Sequence, residues 1–161
     1  MDSPGAETLS LRRRPLFNPM LATLNDLRLA DLKHVPDPNG TLAVVEVPRD
    51  VPFDVKRLFY VYGVKAGDVR GEHAHRRAHQ YLICVRGRCE ITCDDGSGRR
   101  SYLLDSPTKA LLIPPGIWAE QKYQIPATIL LVLSDRPYEE DDYIRDHDRF
   151  LAFRGPAASK K

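Results

Sequence analysis

The middle of the chain alternates short apolar runs with turn-forming residues. Eight runs of six to nine residues are rich in β-branched and aromatic side chains, and Gly, Pro, Asp or Asn lies between them. They cover residues 41–47, 56–64, 80–85, 88–93, 100–105, 109–114, 118–123 and 127–133. Short strands at regular spacing, with turn signals between them, are typical of an all-β sandwich or barrel. The pattern therefore predicts one antiparallel β-barrel domain.

Two segments outside these runs have helical character. Residues 20–35 have leucines at helical intervals, although part of this segment could be strand. Residues 138–153 begin with acidic residues and continue as an amphipathic run, which favours a short helix. We place a single domain over residues 19–154, a flexible arm over 1–18 and a flexible tail over 155–161, because both ends are rich in small, Pro and charged residues.

Composition narrows the class of protein. The chain has 161 residues, of which 42% are apolar, and this is enough for one domain with a real core. With 24 basic and 22 acidic residues the net charge is +2, which gives no reason to expect nucleic acid as a partner. No apolar run approaches the roughly 18 residues of a membrane span. Residues 1–15 lack a signal-peptide core, and the three cysteines have no CxxC spacing, so we expect a soluble protein of the reducing cytoplasm.

The segment RGEHAHRRAHQ, residues 70–80, is the densest cluster of titratable side chains in the chain. It holds three of the five histidines. His73 and His75 are two positions apart, so they share one face of a strand. His79 joins that face only if no bend intervenes, and the residues before it could form a turn. The pair is therefore a candidate site, with solvent-exposed strand histidines as the alternative.

The wider spacing around this pair resembles the cupin motifs. Gly67, His73, His75, Gln80 and Gly87 follow the first cupin motif, and PPGIWA, residues 114–119, follows the second. The resemblance covers roughly residues 40–135. It implies a double-stranded β-helix, or jelly-roll, barrel, to which we add a short C-terminal helical segment.

The same motifs argue against a resident metal ion. Metal-binding cupins generally supply His, His and Glu from the first motif and His from the second. Here Gln80 and Ala119 occupy two of those four positions, which leaves His73 and His75 as a weak ligand pair. We therefore predict that the site holds no metal. We also predict no cofactor, since two imidazoles alone can give and take protons. A metal-dependent cupin such as a dioxygenase is the alternative, and metal content after purification without chelator would distinguish it.

Three longer stretches resemble the dTDP-4-keto-6-deoxyglucose 3,4-ketoisomerases. They are FDVKRLFYVYGVKAGDVRGEHAH, LDSPTKALLIPPGIW and YEEDDYIRDHDRFLAF, and the resemblance covers roughly residues 38–153. It implies a cofactor-independent cytoplasmic enzyme of deoxy-amino-sugar biosynthesis, a dTDP-4-keto-6-deoxyhexose substrate, and a homodimer with exchanged N-terminal strands. Such an enzyme moves the keto group from C4 to C3 through an enediol.

The resemblance also implies roles for individual residues. His75 would be the main base and His73 its proton-transfer partner, and Tyr60 would be the shuttle on the oxygen side. For Tyr60 and for most of the substrate-binding residues named next, the alternative interpretation is an ordinary structural role as a strand aromatic, a surface residue or a core residue. The residues expected to bind substrate are Arg70, for the diphosphate or the sugar oxygens, and Arg57, as a second candidate for the phosphates, together with Tyr62, Gln80 and Trp118.

Two departures from the family pattern leave the outcome of the reaction open. Many relatives have His where this chain has Ala119, and an Arg-Gly pair where it has Asn39 and Gly40. Position 119 should lie near the sugar, so the product could be galacto- or gluco-configured at C4. A sugar-nucleotide epimerase and a non-catalytic cupin that binds a nucleotide sugar are the alternative functions.

Overall fold

The computed structural model describes residues 21–156, and the predicted arm 1–18 lies outside them, as do residues 157–161 of the predicted tail. Twelve strands, one α-helix and two short 3-10 helices, Leu24–Asp26 and Glu140–Asp142, form this part of the chain. The strands are β1 Arg28–Asp31, β2 Lys33–Asp37, β3 Gly40–Val44, β4 Arg57–Val61, β5 Val69–His75, β6 Gln80–Arg86, β7 Cys89–Asp94, β8 Arg99–Leu104, β9 Lys109–Ile113, β10 Trp118–Tyr123, β11 Ile129–Ser134 and β12 Tyr143–Ile144, and α1 is His147–Arg154.

Two five-stranded antiparallel sheets form the body of the domain. Their strand orders are β1-β9-β6-β11-β4 and β12-β5-β10-β7-β8, and β2 and β3 form a separate hairpin. The main core cluster draws side chains from both sheets, for example Leu82 and Leu130 from the first, and Ile91 and Tyr123 from the second. The sheets therefore face each other across one apolar interior, and the predicted all-β jelly-roll with a short C-terminal helix is confirmed.

The eight predicted strands are all present. The helical interpretation of residues 20–35 is wrong, and the alternative that part of this segment is strand is confirmed. This segment contains one short 3-10 turn and then β1 and β2. Leu27 and Leu32 are buried, whereas Leu29 between them is 51% exposed. Leu29 and its neighbours pair with β9, so they form an edge strand of the first sheet and not one face of a helix.

The C-terminal prediction over residues 138–153 is correct only for its second half. The α-helix begins at His147, where the Asp146 side chain accepts a hydrogen bond from the Arg149 backbone N–H. Residues 138–145, which we call the strap, instead contain a 3-10 turn and β12. β12 pairs with β5, so the strap closes one edge of the second sheet beside the two histidines.

The three cysteines are free and buried. Burial raises the pKa of Cys84 to about 11 and the pKa values of Cys89 and Cys93 to about 12. These thiols therefore act as small apolar core side chains. Within residues 21–156, the helices are too short and too polar to cross a membrane.

Candidate active site

His73 and His75 project from β5 into the space between the sheets. His73 lies opposite Ala119 of β10, a member of the main core cluster, whereas Ala74 packs on the other face against α1. The two imidazole rings are nearly perpendicular, with centroids 4.9 Å apart. The predicted shared face of the pair is therefore the inner face of the barrel.

His75 forms a buried pair with a carboxylate of the strap. Its Nδ1 lies 2.8 Å from Asp142 Oδ2, and the two side chains are only 9% and 4% exposed. An ionised carboxylate only accepts hydrogen bonds, so Nδ1 carries the proton and donates it. His75 Nε2 is buried and has no hydrogen-bond partner among the described residues. The imidazole thus presents an unprotonated Nε2 to the barrel interior.

Asp142 is itself fixed by the loop that follows β5. The Arg77 backbone N–H donates to Asp142 Oδ1 at 2.7 Å. The Arg77 guanidinium contacts Glu139 at 2.7 Å and Asp141 at 2.9 Å. These contacts hold the strap against the end of β5, so the orientation of the His75 ring depends on how the strap is anchored.

Burial keeps both histidines neutral near pH 7. Burial, followed by the neighbouring His75, lowers the pKa of His73 to about 4. Burial also lowers the pKa of His75, although the hydrogen bond and the charge of Asp142 oppose the shift. The His73 Nδ1–H donates to the Gly71 carbonyl oxygen at 3.0 Å, which leaves its Nε2 as an acceptor. Both rings are therefore available as bases.

Tyr143 completes a cluster at this end of the barrel. It pairs with His75 across β12 and β5, and its ring centroid lies 4.4 Å from that of His75 and 5.0 Å from that of His73. The Arg57 Nη1–H donates to the Tyr143 hydroxyl oxygen at 3.3 Å. The Arg145 guanidinium lies over the Tyr143 ring, 4.2 Å from its centroid. Two imidazoles, one phenol and two guanidiniums therefore lie together.

A β-bulge places Arg70 on the same inner face. Ala119 lies opposite His73, but the next residue of β10 lies opposite Gly71, so Glu72 is an extra residue with a φ of 54°. A Cβ on Gly71, whose φ is 82°, would lie 2.9 Å from the Ala119 carbonyl oxygen. Without the bulge, Arg70 would share a face with Ala74 and point away from the histidines.

Arg70 also lines a pocket at the other end of β5. The pocket has a volume of about 450 Å³ and is lined by Arg70, Tyr62, Lys65, Asp68 and their neighbours. Tyr62 and Arg70, which the sequence assigned to substrate binding, are therefore close together. A ligand in contact with both the pocket and the histidines would extend along β5.

Two predicted site residues, Tyr60 and Trp118, lie outside the histidine cluster. Tyr60 is 59% exposed and lies on the outer face of β4, since its neighbour Phe59 packs against the main core. Trp118 is buried on the outer side of β10, with its ring 5.0 Å from His147 and 5.6 Å from Phe150. Trp118 therefore packs as a core residue, and Tyr60 is an exposed strand aromatic. Both match the alternative interpretation given for them from the sequence.

The remaining predicted positions divide between the interior and the periphery. Gln80 is buried at the start of β6 and shares the inner face of Leu82. His79 lies beyond a bend and donates through Nδ1 to Asp135 Oδ2 at 2.8 Å. The structure thus brings Gln80 to the histidine end of the barrel and gives His79 a partner elsewhere.

Sequence reasoning missed the contribution of the strap. Asp142 bonds to His75, Tyr143 contacts both imidazoles, and Arg145 lies over the Tyr143 ring. Sequence reasoning assigned none of these three residues a role. The signal was present in the stretch YEEDDYIRDHDRFLAF, which is one of the three stretches that carry the family resemblance. Residues 21–156 contain no group of three or more His, Cys, Asp or Glu side chains that could hold a metal ion.

A buried Asp–His pair beside a second histidine, inside a double-sheet barrel, is an arrangement that suits a cupin-type enzyme working by proton transfer. The family model for FdtA, described as WxcM-like, C-terminal, matches residues 25–155. The TDP-4-oxo-6-deoxy-alpha-D-glucose-3,4-oxoisomerase of Aneurinibacillus thermoaerophilus is 34% identical over 126 residues, which are 78% of this chain and 91% of that protein. The chain belongs to this family of sugar-nucleotide 3,4-ketoisomerases.

Solved structures agree with this assignment. A 3,4-ketoisomerase from Helicobacter canadensis is 35% identical with a TM-score of 0.78, over 81% of this chain and 98% of that one. A variant of the 3,4-ketoisomerase QdtA from Thermoanaerobacterium thermosaccharolyticum, in complex with TDP-4-keto-6-deoxyglucose, is 31% identical with a TM-score of 0.80, over 86% and 100% of the two chains. Two sugar-nucleotide epimerases, at 15% and 18% identity, share the fold alone.

Proposed function

We propose that this enzyme moves the keto group of a dTDP-4-keto-6-deoxyhexose from C4 to C3 through an enediol. The observation that carries the proposal is the buried His75–Asp142 pair, which leaves His75 Nε2 free to accept a proton. The hydrogen on C3 is acidic because it lies α to the C4 ketone. Proton transfer by a neutral imidazole is sufficient for this reaction, so it needs no redox cofactor.

His75 is the base that removes the C3 proton and returns a proton to C4. Asp142 stabilises the imidazolium that forms between these steps, since a carboxylate 2.8 Å from Nδ1 favours the charged ring. His73, with its own Nε2 free, is the proton-transfer partner. The low pKa of His73, about 4, keeps it neutral beside the transient charge on His75.

The nucleotide part of the substrate lies at the opposite end of β5. Arg70 is a fork-shaped donor that suits a diphosphate, and Tyr62 lines the same pocket. Arg57 contacts Tyr143 at the histidine end, which favours the sugar oxygens over the phosphates as its ligand. Gln80 faces the sugar from the other sheet. For Tyr60 and Trp118, substrate contact stays a prediction that their surroundings do not favour.

The assay for this proposal uses purified enzyme and dTDP-4-keto-6-deoxyglucose, with NMR detection of the product. The expected product has its carbonyl at C3, where a subsequent amination would act. Exchange of the C3 or C5 hydrogen with the ketone still at C4 would favour the epimerase alternative. Binding without any exchange would favour the non-catalytic alternative.

We further propose that the enzyme is a homodimer with exchanged N-terminal strands. Support comes from the β2–β3 hairpin, which pairs only with itself among the described strands and exposes Val35 and Leu42 at 47% and 62%. Leu58 on β4, an edge strand, is 55% exposed. Light scattering should give twice the chain mass, and Leu42→Lys should shift the population towards monomer. A monomeric parent enzyme would contradict the proposal.

The cytoplasm is the proposed compartment. The three free, buried thiols suit a reducing environment. Fractionation of the native host, with the activity as readout, tests this assignment.

A further inference from the structure

The isomerisation needs a proton carrier for oxygen as well as for carbon, and this inference rests on the proposed function. While C3 loses a proton and C4 gains one, O4 must be protonated and O3 must be deprotonated. His75 serves the carbon atoms. A second group has to serve the two oxygens, and a phenol can donate and then accept a proton.

The tyrosines of β4 and of the loop after it are poorly placed for this task. Tyr60 is on the outer face of β4 and is 59% exposed. Tyr62 is 70% exposed and lines the pocket beside Arg70, at the far end of β5 from His75. Neither ring contacts the imidazole pair.

We propose that Tyr143 is the acid–base group for the sugar oxygens. Its ring is in contact with both imidazoles, at centroid distances of 4.4 Å from His75 and 5.0 Å from His73. The strand pairing of Tyr143 with His75 fixes this neighbourhood through the backbone, because Ile144 occupies the opposite face against Ala74. A substrate carbon within reach of His75 therefore places its oxygens near Tyr143.

The hydrogen bond from Arg57 influences the direction in which the Tyr143 O–H group donates. Arg57 can only donate, so it occupies a lone pair of the Tyr143 oxygen and leaves the O–H free to donate elsewhere. The Arg145 guanidinium above the ring, 4.2 Å from its centroid, adds a second positive charge. A phenolate formed during the reaction would therefore lie beside one cation and beneath another.

The proton balance closes with these two groups. His75 Nε2 takes the C3 proton, the C3–H electron pair forms the C3=C4 double bond, and Tyr143 donates its proton to O4. The Tyr143 phenolate then takes the proton from O3, C3=O forms, and the His75 imidazolium donates to C4. Both groups end in their starting states, and no oxidant or reductant is consumed.

The test compares Tyr143→Phe with Tyr138→Phe in the isomerase assay. The Tyr138 ring stacks on Tyr143 at 5.4 Å, but its hydroxyl donates to Glu140, which pairs with Arg145. This variant therefore removes a hydroxyl of the same strap that is bonded neither to an imidazole nor to Tyr143. We expect Tyr143→Phe to lower kcat by about 100-fold or more with KM changed by less than about threefold, the scale of a lost acid–base group. Tyr138→Phe should stay near the parent enzyme.

Several outcomes would overturn the assignment. Near-parental kcat in Tyr143→Phe, or equal losses in the Tyr143 and Tyr138 variants, would remove Tyr143 from the chemistry. A large loss in Tyr60→Phe or Tyr62→Phe, with Tyr143→Phe active, would give the role to β4 or the loop after it. If the parent enzyme itself does not move the ketone, the proposed function fails, and that result is separate from any difference between variants.

Discussion

The Nδ1–H of His75 donates to Asp142 Oδ2 across 2.8 Å, although 67 positions separate the two residues in the chain. One residue ends β5 and the other lies in the strap that β12 ties to that strand. The bond determines which ring nitrogen of His75 carries a proton, and it leaves the unprotonated Nε2 in the barrel interior without a partner among the described residues. The protonation state of the His75 ring therefore depends on a long-range contact with the strap.

Replacing Asp142 by Asn should lower kcat by about 100-fold, because the neutral amide no longer stabilises the imidazolium. The variant preserves the size of the side chain, so KM should change much less than kcat. Asp135→Asn is the matched control, since Asp135 makes a hydrogen bond of the same 2.8 Å length to His79 outside the cluster. Equal losses in the two variants would show that Asp142 acts only through folding.

The pH dependence of kcat/KM gives a separate readout. Since burial lowers the pKa of His75, the acidic limb of the profile should lie below the ordinary histidine value of about 6.5. Asp142 raises that pKa against the effect of burial, so Asp142→Asn should move the limb to still lower pH. A limb that moves upward in this variant would contradict the assignment of His75 as the base.

The two histidines should differ in the size of their effects. We expect His75→Ala to nearly abolish turnover, because it removes the group that carries the carbon proton. His73→Ala should lower turnover by about 100-fold or more, the usual scale for an acid–base group. Steady-state rates with the nucleotide ketosugar test both values. Near-parental turnover in the His75 variant would exclude it as the base.

The low pKa of His73 also predicts how stability depends on pH. The folded form titrates at about 4 rather than 6.5, so between these values the unfolded chain binds more protons than the folded one. Stability is therefore retained above pH 6.5 and lost as pH falls towards 4, by at most about 3 kcal/mol from this residue. His73→Asn should flatten the pH dependence of the unfolding free energy measured in urea. If the unfolding free energy depends equally on pH in the parent and the variant, His73 is not the source of this pH dependence.

The sequence predicted the part of the site that lies within one motif. His73 and His75 share a strand face because side chains alternate, and the spacing to Gln80 and Gly87 indicated the cupin barrel. Local spacing could not reveal that Asp142 lies beside His75, because that contact depends on the long-range pairing of β12 with β5.

Backbone irregularity and strand pairing explain the other features of the structure that the sequence did not predict. Simple alternation puts Arg70 on the face opposite His73, and only the bulge at Glu72 brings it inside. The leucines of residues 20–35 have a spacing that fits a helix, but pairing of β1 with β9 outweighs that local preference. The outward direction of Tyr60 follows from the register of β4 against β11, which sequence spacing does not determine.

The geometry predicts the configuration of the product at C4. His73, His75 and Tyr143 all project from β5 and β12, whereas the facing sheet contributes apolar side chains together with Gln80, Arg57 and Ser134, none of which is a base. A proton that one base removes from C3 and returns to C4 stays on one face of the ring. Hydrogens H3 and H4 share a face in galacto-configured sugars and lie on opposite faces in gluco-configured ones.

We therefore expect the galacto product. The coupling constant between H4 and H5 checks this, since it is small for galacto and large for gluco. A large coupling would mean that a proton reaches C4 from the other face. Ala119, which lies beside His73, supplies no proton donor that would change this expectation.

The central claim is that His75 moves one proton between two carbons while the ketone changes place. Proton NMR of dTDP-4-keto-6-deoxyglucose incubated with the enzyme in D₂O tests it most directly. The account predicts a 3-keto sugar formed by the parent enzyme and not by His75→Ala, with deuterium at C4 in every turnover in which the His75 imidazolium exchanges its proton with D₂O before donating it. A ketone that stays at C4, with or without deuterium at C3 or C5, would contradict it.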